Sequence, residues 1–137
     1  MTAARPPEKN PETVAGVVAS IVVRDAAAAI EFYKRAFGAE ELARESLDGT
    51  RVIHGHVRIN GGDLFLNDPL PEHGQPLQTP QGFRLHLQVD SADRWFARAV
   101  AAGAEVVMPV ELMFWGDRYG QVRDPFGVLW ALGGPAQ

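Results

Sequence analysis

Val23-Arg24-Asp25 opens a helical stretch that closes at Phe37-Gly38-Ala39-Glu40, and Val89-Asp90-Ser91 opens another that closes at Ala102-Gly103-Ala104-Glu105. A strand-like run precedes each stretch and a hairpin-like run follows it. The first hairpin turns at Asn60-Gly61-Gly62-Asp63, the second at Asp124-Pro125-Phe126-Gly127. The copies are offset by about 65 to 66 residues, with a one-residue slip inside the helices. A period this long, occurring twice, argues for two fused modules, because a solenoid needs three or more stacked units. Two βαβββ modules, paired, tend to wrap one shared cleft.

Local chemistry supports that order. Val17–Val23 is β-branched and reads as a strand. Asp25 is placed to cap a helix over 26–37, which puts Ala26, Ile30, Tyr33 and Phe37 on one face and ends at Gly38. Arg51–Ile59 and Leu64–Asn67 read as a hairpin. In the second copy, Arg84–Val89 alternates strictly, so Leu85, Leu87 and Val89 share one face and Arg84, His86 and Gln88 the other. A helix over 92–102 buries Ala92, Phe96, Ala99 and Val100 and stops at Gly103. Glu105–Pro109 reads as a short strand, Glu111–Tyr119 as an aromatic-rich loop with tight turns at Gly116 and Gly120, and 120–123 with 128–132 as the last hairpin.

The expected architecture is therefore α+β: two tandem βαβββ modules forming a curved mixed sheet with helices outside. Residues 1–14, polar and holding Pro6, Pro7 and Pro11, read as a flexible lead-in. Residues 15–137 form one domain of two modules, about 15–68 and 83–133. The stretch 69–82, with four prolines, is the linker.

Composition narrows the function classes. A net charge of −4 gives no basic stripe for nucleic acid. The absence of cysteine excludes thiolate nucleophiles and thiolate metal sites. No apolar run approaches the roughly 18 residues that span a bilayer, and the N-terminus lacks the apolar core of a signal peptide. The expected location is the cytoplasm. Phosphate-cradling glycine loops and serine elbows are missing.

Candidate site residues follow from side-chain chemistry. His86, on the polar side of its strand, is the best candidate for acid/base work, since imidazole titrates near neutral pH. Arg84 offers a planar fork of donors to an anionic or carbonyl-bearing ligand, and Gln88 shares its face. His54 and His56, two apart on a strand, point the same way. Trp115, Arg118 and Tyr119 lie in one loop with Met113 and Phe114, where exposed aromatics argue for a lid over a ligand or a subunit contact.

Four blocks carry a family resemblance: Val22-Val23-Arg24-Asp25 with Ala29–Ala39; Val52–Ile59; Ala99–Ala104; and Phe114–Gly120 with Arg123–Gly127. With them the chain resembles the vicinal oxygen chelate superfamily, also called the glyoxalase/bleomycin resistance/dioxygenase superfamily, and most resembles its PhnB-like branch, in which histidine is common at the His86 position. The resemblance spans nearly all of 17–132 and implies the fold strongly. It implies the reaction weakly, because the superfamily holds lyases, isomerases, dioxygenases, thiol transferases and drug-sequestering proteins. It also implies a homodimer.

Metal-dependent members supply His, Glu or Gln from the first and last strands of each module. Carried over, those positions fall on Val18, Phe65, Arg84 and Ala131, none of which binds a divalent cation. A two-residue slip brings in His86 and Asn67, one imidazole and one amide. The expectation is no resident metal and no cofactor. The expected function is metal-independent binding of a small apolar or aromatic molecule in a cleft, antibiotic sequestration being one form of it. The alternatives are a lyase, isomerase or dioxygenase of the same superfamily, metal-free or metal-dependent, and a dimeric regulatory or scaffold module.

Overall fold

The computed structural model describes residues 15–137, so the expected lead-in lies outside the described residues. In chain order the elements are β1 (Ala19–Val22), α1 (Ala26–Phe37), β2 (Glu40–Ser46), β3 (Val52–Ile59), β4 (Gly62–Asn67), β5 (Leu85–Gln88), α2 (Ala92–Ala102), β6 (Glu105–Leu112), β7 (Arg118–Arg123) and β8 (Leu129–Gly134). A 3-10 turn, Pro71–His73, and a bridge between Leu70 and Gln75 lie within the Pro-rich stretch. This is the expected α+β fold with two βαβββ modules. There are two four-stranded mixed sheets, ordered β1-β4-β3-β2 and β5-β8-β7-β6. The chain divides into two compact units, one of residues up to Lys34 with Gly38–Gln78, the other of Arg35–Phe37 with Thr79–Gln137. No helix among the described residues is long and apolar enough to cross a membrane.

In unit one, β1 pairs parallel with β4, which pairs antiparallel with β3. The helix forms where expected: Asp25 accepts the Ala28 N–H at 3.0 Å, and Gly38 takes the left-handed conformation that closes the helix. Ala26, Ala29, Ile30, Phe32 and Tyr33 are all buried. Gly55 of β3 is glycine for want of space, since a Cβ there would lie 3.0 Å from the Leu66 carbonyl and 3.3 Å from Ile30 Cδ1. Asn60 and Gly61, both at positive φ, make a two-residue turn that lets β4 start at Gly62. Asp68, just after β4, accepts Ala26 N–H and Val52 N–H, each at 2.7 Å, tying the start of α1 to the start of β3.

In unit two, Ser91 caps α2 through the Arg94 N–H, and Ala92 and Ala99 are buried against the sheet. The last turn of α1 belongs here: Phe37 packs on Trp130 with ring centroids 4.6 Å apart. Asp124 organises the final turn. Its carboxylate accepts Phe126 N–H, Val128 N–H and the Trp130 indole N–H, each at 2.9 Å.

Two readings are corrected, and one strand is added. β2 is a strand of its own that apolar alternation did not reveal. β6 runs through Pro109 to Leu112; it is an edge strand with a register break between Met108 and Glu111, where a missing N–H costs little. Gly120 lies inside β7 and is not a turn residue: a Cβ there would meet Val110 Cγ2 at 2.8 Å and the Met108 carbonyl at 3.0 Å. The aromatic loop therefore shrinks to the turn at 113–117.

Asp124→Ala strips acceptors from three buried or half-buried donors. It is expected to lower unfolding free energy by about 2–4 kcal/mol. Urea denaturation measures this, and a loss below about 1 kcal/mol would show that the carboxylate does not organise the turn.

Candidate functional site

The site is built on the middle of the second sheet. β8 lies between β5 and β7, and its register places Ala131 between His86 and Gln121, and Gly133 between Gln88 and Tyr119. Two rungs thus cross the sheet, each with long side chains on the flanking strands and a methyl group or a hydrogen in the middle. The intervening residues Val122, Trp130 and Leu132 are buried on the opposite face. On the side of His86 and Gln121 lies a trough of about 610 Å³ lined by Phe83, Arg84, His86, Trp115, Tyr119 and Gln121. That volume suits a small organic molecule.

One wall is a polar relay. Gln88 Nε2 donates to an Asp117 carboxylate oxygen at 3.3 Å, which turns Gln88 Oε1 toward His86 Nε2 at 2.9 Å. A carboxylate only accepts, and an amide oxygen only accepts, so His86 must donate from Nε2. In the neutral ring the proton therefore sits on Nε2 and Nδ1 is left as an acceptor. Gly133 lies under this pair. A Cβ there would fall 2.9 Å from His86 Cε1 and 3.2 Å from both His86 Nε2 and Gln88 Oε1. A side chain here would have to push these two exposed side-chain ends aside.

The other wall is aromatic. Tyr119 stacks on His86, with centroids 6.0 Å apart and planes 21° apart, and meets Trp115 edge-on at 5.6 Å. Phe114, nearly fully exposed, meets Trp115 edge-on at 5.0 Å. The turn that carries them is fixed by Met113 N–H on the Asp117 carbonyl and by Gly116 at φ 101°. Gln121 Nε2 donates to the Tyr119 hydroxyl at 3.0 Å.

Of the residues picked from sequence, Arg84, His86, Trp115 and Tyr119 line the trough, and Gln88 supports it from behind His86. Arg118 does not line it. Its guanidinium makes a two-point pair with Asp93 of α2, at 2.7 and 3.1 Å, which lowers the carboxyl pKa and raises that of the guanidinium. Asn67 is buried in unit one, donating to the Asp68 carbonyl and to Gln75 Oε1. His54 and His56 flank Phe65, with ring centroids 5.1 and 4.9 Å away. His56 is fully buried, its Nε2 3.1 Å from an Asp63 oxygen but too far off line for a hydrogen bond, while Arg58 holds the other oxygen at 2.7 Å. Burial, and then the neighbouring His56, push the His54 pKa down.

Sequence reading missed Phe83, Gln121, Asp117 and Gly133. Gln121 carried a signal, since it stands two residues from Tyr119 on a strand and must share its face. Gly133 carried none.

Within each unit the register shows what stands beside the positions carried over from metal-dependent members. The first-strand residue beside Phe65 is Ser20, and the one beside Ala131 is His86, each two residues beyond Val18 and Arg84. Each unit by itself thus offers few donors: Ser20 beside Phe65 in one, His86 beside Ala131 in the other. One imidazole, already committed through Nε2 to Gln88, does not fit a divalent metal. Among the described residues no three His, Asp or Glu side chains cluster closely enough to hold one.

A profile of the Glyoxalase/Bleomycin resistance protein/Dioxygenase superfamily matches residues 14–132. The chain belongs to this family. It is 46% identical over 123 residues to a Mycobacterium bovis protein, Mb0911c, covering 85% of this chain and 81% of that one. Among solved structures it is similar to TioX from Micromonospora sp. ML1, with TM-score 0.71 and 27% identity over 88% of this chain and 98% of the other. A PhnB protein from Bacillus cereus shares the fold, with TM-score 0.67 and 20% identity over 86% of this chain and 98% of that one.

Gly133→Ala is expected to push His86 and Gln88 apart with little change in stability, because both side chains are exposed. Nitrogen-15 NMR of the imidazole is expected to show the Nε2–H form in the parent protein and a mixture of tautomers in the variant. Unchanged ring shifts would refute the close contact.

Proposed function

We propose that the chain is a metal-independent binder of small aromatic or apolar molecules, which it takes into the trough of unit two. The carrying observation is that trough itself: three aromatic side chains, one guanidinium, one imidazole and one amide converge on a volume of ligand size. Trp115 and Tyr119 supply flat apolar contact, and Arg84, His86 and Gln121 fix the polar groups of the guest. The donor set supports independence from a metal, because a divalent cation would find a single imidazole there. Sequestration of an antibiotic with a planar group is one form this binding takes, in keeping with the resistance proteins named in the family's description. Within the family we assign the chain to the PhnB-like branch, an assignment that rests on the four sequence blocks and accords with the shared fold of the Bacillus cereus protein.

A second reading is catalytic. The relay from Asp117 through Gln88 leaves His86 with one accepting nitrogen, the arrangement wanted of a general base, and a metal-free lyase or isomerase is the class it fits. We place either activity in a cytoplasmic homodimer. The two sheets differ at their edges: β2 carries Glu40, Glu41, Arg44 and Glu45, whereas β6 leaves Val106, Val107, Met108 and Leu112 exposed. A charged edge resists pairing and an apolar one invites it.

Titration of aromatic natural products, followed by quenching of tryptophan emission and by calorimetry, tests the binding. Dissociation constants in the micromolar range are expected, weakened about tenfold or more by Trp115→Ala. Absent or uniformly millimolar binding would sink the reading. Light scattering is expected to give twice the chain mass of 14.9 kDa; the mass of a single chain at micromolar concentration would remove the homodimer.

A further inference from the structure

We propose that the trough selects planar aromatic carboxylates, with the ring against Trp115 and Tyr119 and the carboxylate on Arg84. The inference rests on the binding reading above and narrows it to a ligand class. It starts from the pairing of basic side chains. Lys34, Arg44, Arg51, Arg58, Arg94 and Arg118 each hold a carboxylate. Arg98 donates to the Arg35 carbonyl and Arg123 to the Gly127 carbonyl. Arg24 and Arg35 have partners as well. Among the described residues, Arg84 alone has none.

That is unusual in a chain with 17 acidic and 13 basic residues, where carboxylates outnumber cations. Arg84 stays unpaired because no Asp or Glu lines the trough. The nearest carboxylate of the site, Asp117, is turned to the Gln88 amide. The guanidinium is thus the sole fixed charge among the lining residues, and it shares the trough with Phe83, Trp115 and Tyr119. Its planar fork matches the two oxygens of a carboxylate. A single cation balances a single negative charge, which favours a carboxylate over a doubly charged phosphate. Cationic guests are disfavoured, since they would meet a like charge with no acid to offset it.

The test uses three probes with one ring system, 2-naphthoate, 2-naphthamide and 2-naphthylmethylammonium, titrated calorimetrically into the intact protein. The carboxylate is expected to bind about 10- to 100-fold tighter than the amide, the cation weakest, and the gap to shrink as salt is raised. Arg84→Gln is expected to bring the carboxylate-to-amide ratio close to one, and Arg84→Lys to restore part of it. Equal binding of carboxylate and amide in the parent protein would overturn the ligand class and leave the binding reading standing. A ratio that survives Arg84→Gln would overturn the role of Arg84. If no probe binds, with Trp115→Ala indistinguishable from the parent protein, both the ligand class and the binding reading fall.

Discussion

The candidate site depends on the bareness of one strand. β8 is the second strand from one edge of its sheet, with neighbours on both sides, and on the trough face it offers Ala131 and Gly133. A strand lifts alternate side chains off the sheet, so a middle strand with large residues fills whatever its neighbours enclose. With a methyl group and a hydrogen there instead, His86 and Gln88 flank β8 on one side and Tyr119 and Gln121 on the other, and Ala131 itself is fully buried. Gly133 lies close under His86 and Gln88, so a Cβ there would shift the relay.

The first unit shows the alternative. Its matching middle strand, β4, carries Phe65 and Asn67 at the positions of Ala131 and Gly133. Phe65 fills the corresponding face and packs on His54 and His56, while Asn67 ties down the segment that follows. The two units differ just as sharply one residue further on. Asp68 spans a corner with two hydrogen bonds, whereas Gly134 meets it by close approach, with a Cβ position only 2.7 Å from the Val89 carbonyl. One backbone plan has been finished with side chains in one unit and with their absence in the other, leaving an open trough in the second.

The fold was legible because its signals are local and stated twice. A capping Asp or Ser, a helix of eleven or twelve residues and a closing glycine recur in both copies. The strict alternation of 84–89 likewise placed Arg84, His86 and Gln88 on one face, and two aromatic lining residues, Trp115 and Tyr119, followed from their clustering in one loop. What stayed hidden was whatever depends on partners across the sheet. His54, His56 and Asn67 read as site residues by type; His56 and Asn67 are buried among their own neighbours, while His54 stays exposed beside Phe65. Arg118 read as a ligand contact until Asp93, 25 residues away, engaged it. Gly120 and Gly133 look like flexible points in a sequence, whereas at both another chain segment comes within about 3 Å of the Cβ position.

The choice between binding and catalysis turns on what surrounds His86. Gln88 passes the polarity of Asp117 to the imidazole, but an amide does not titrate and so carries no proton onward. The ring is held in one tautomer by that bond, and Tyr119 stacks on its face. A base held this way can recognise a hydroxyl or N–H on a guest, or it can take a proton from one. The proton taken can be returned by the same imidazole or by a second group. Among the lining residues the Tyr119 hydroxyl can serve as that second group, since it accepts from Gln121 while keeping its own hydrogen to give. No carboxylate, serine or threonine lines the trough. The chemistry these side chains offer is therefore proton transfer centred on His86, or none at all. Holding a guest demands less of the same residues, since it needs only their fixed directions.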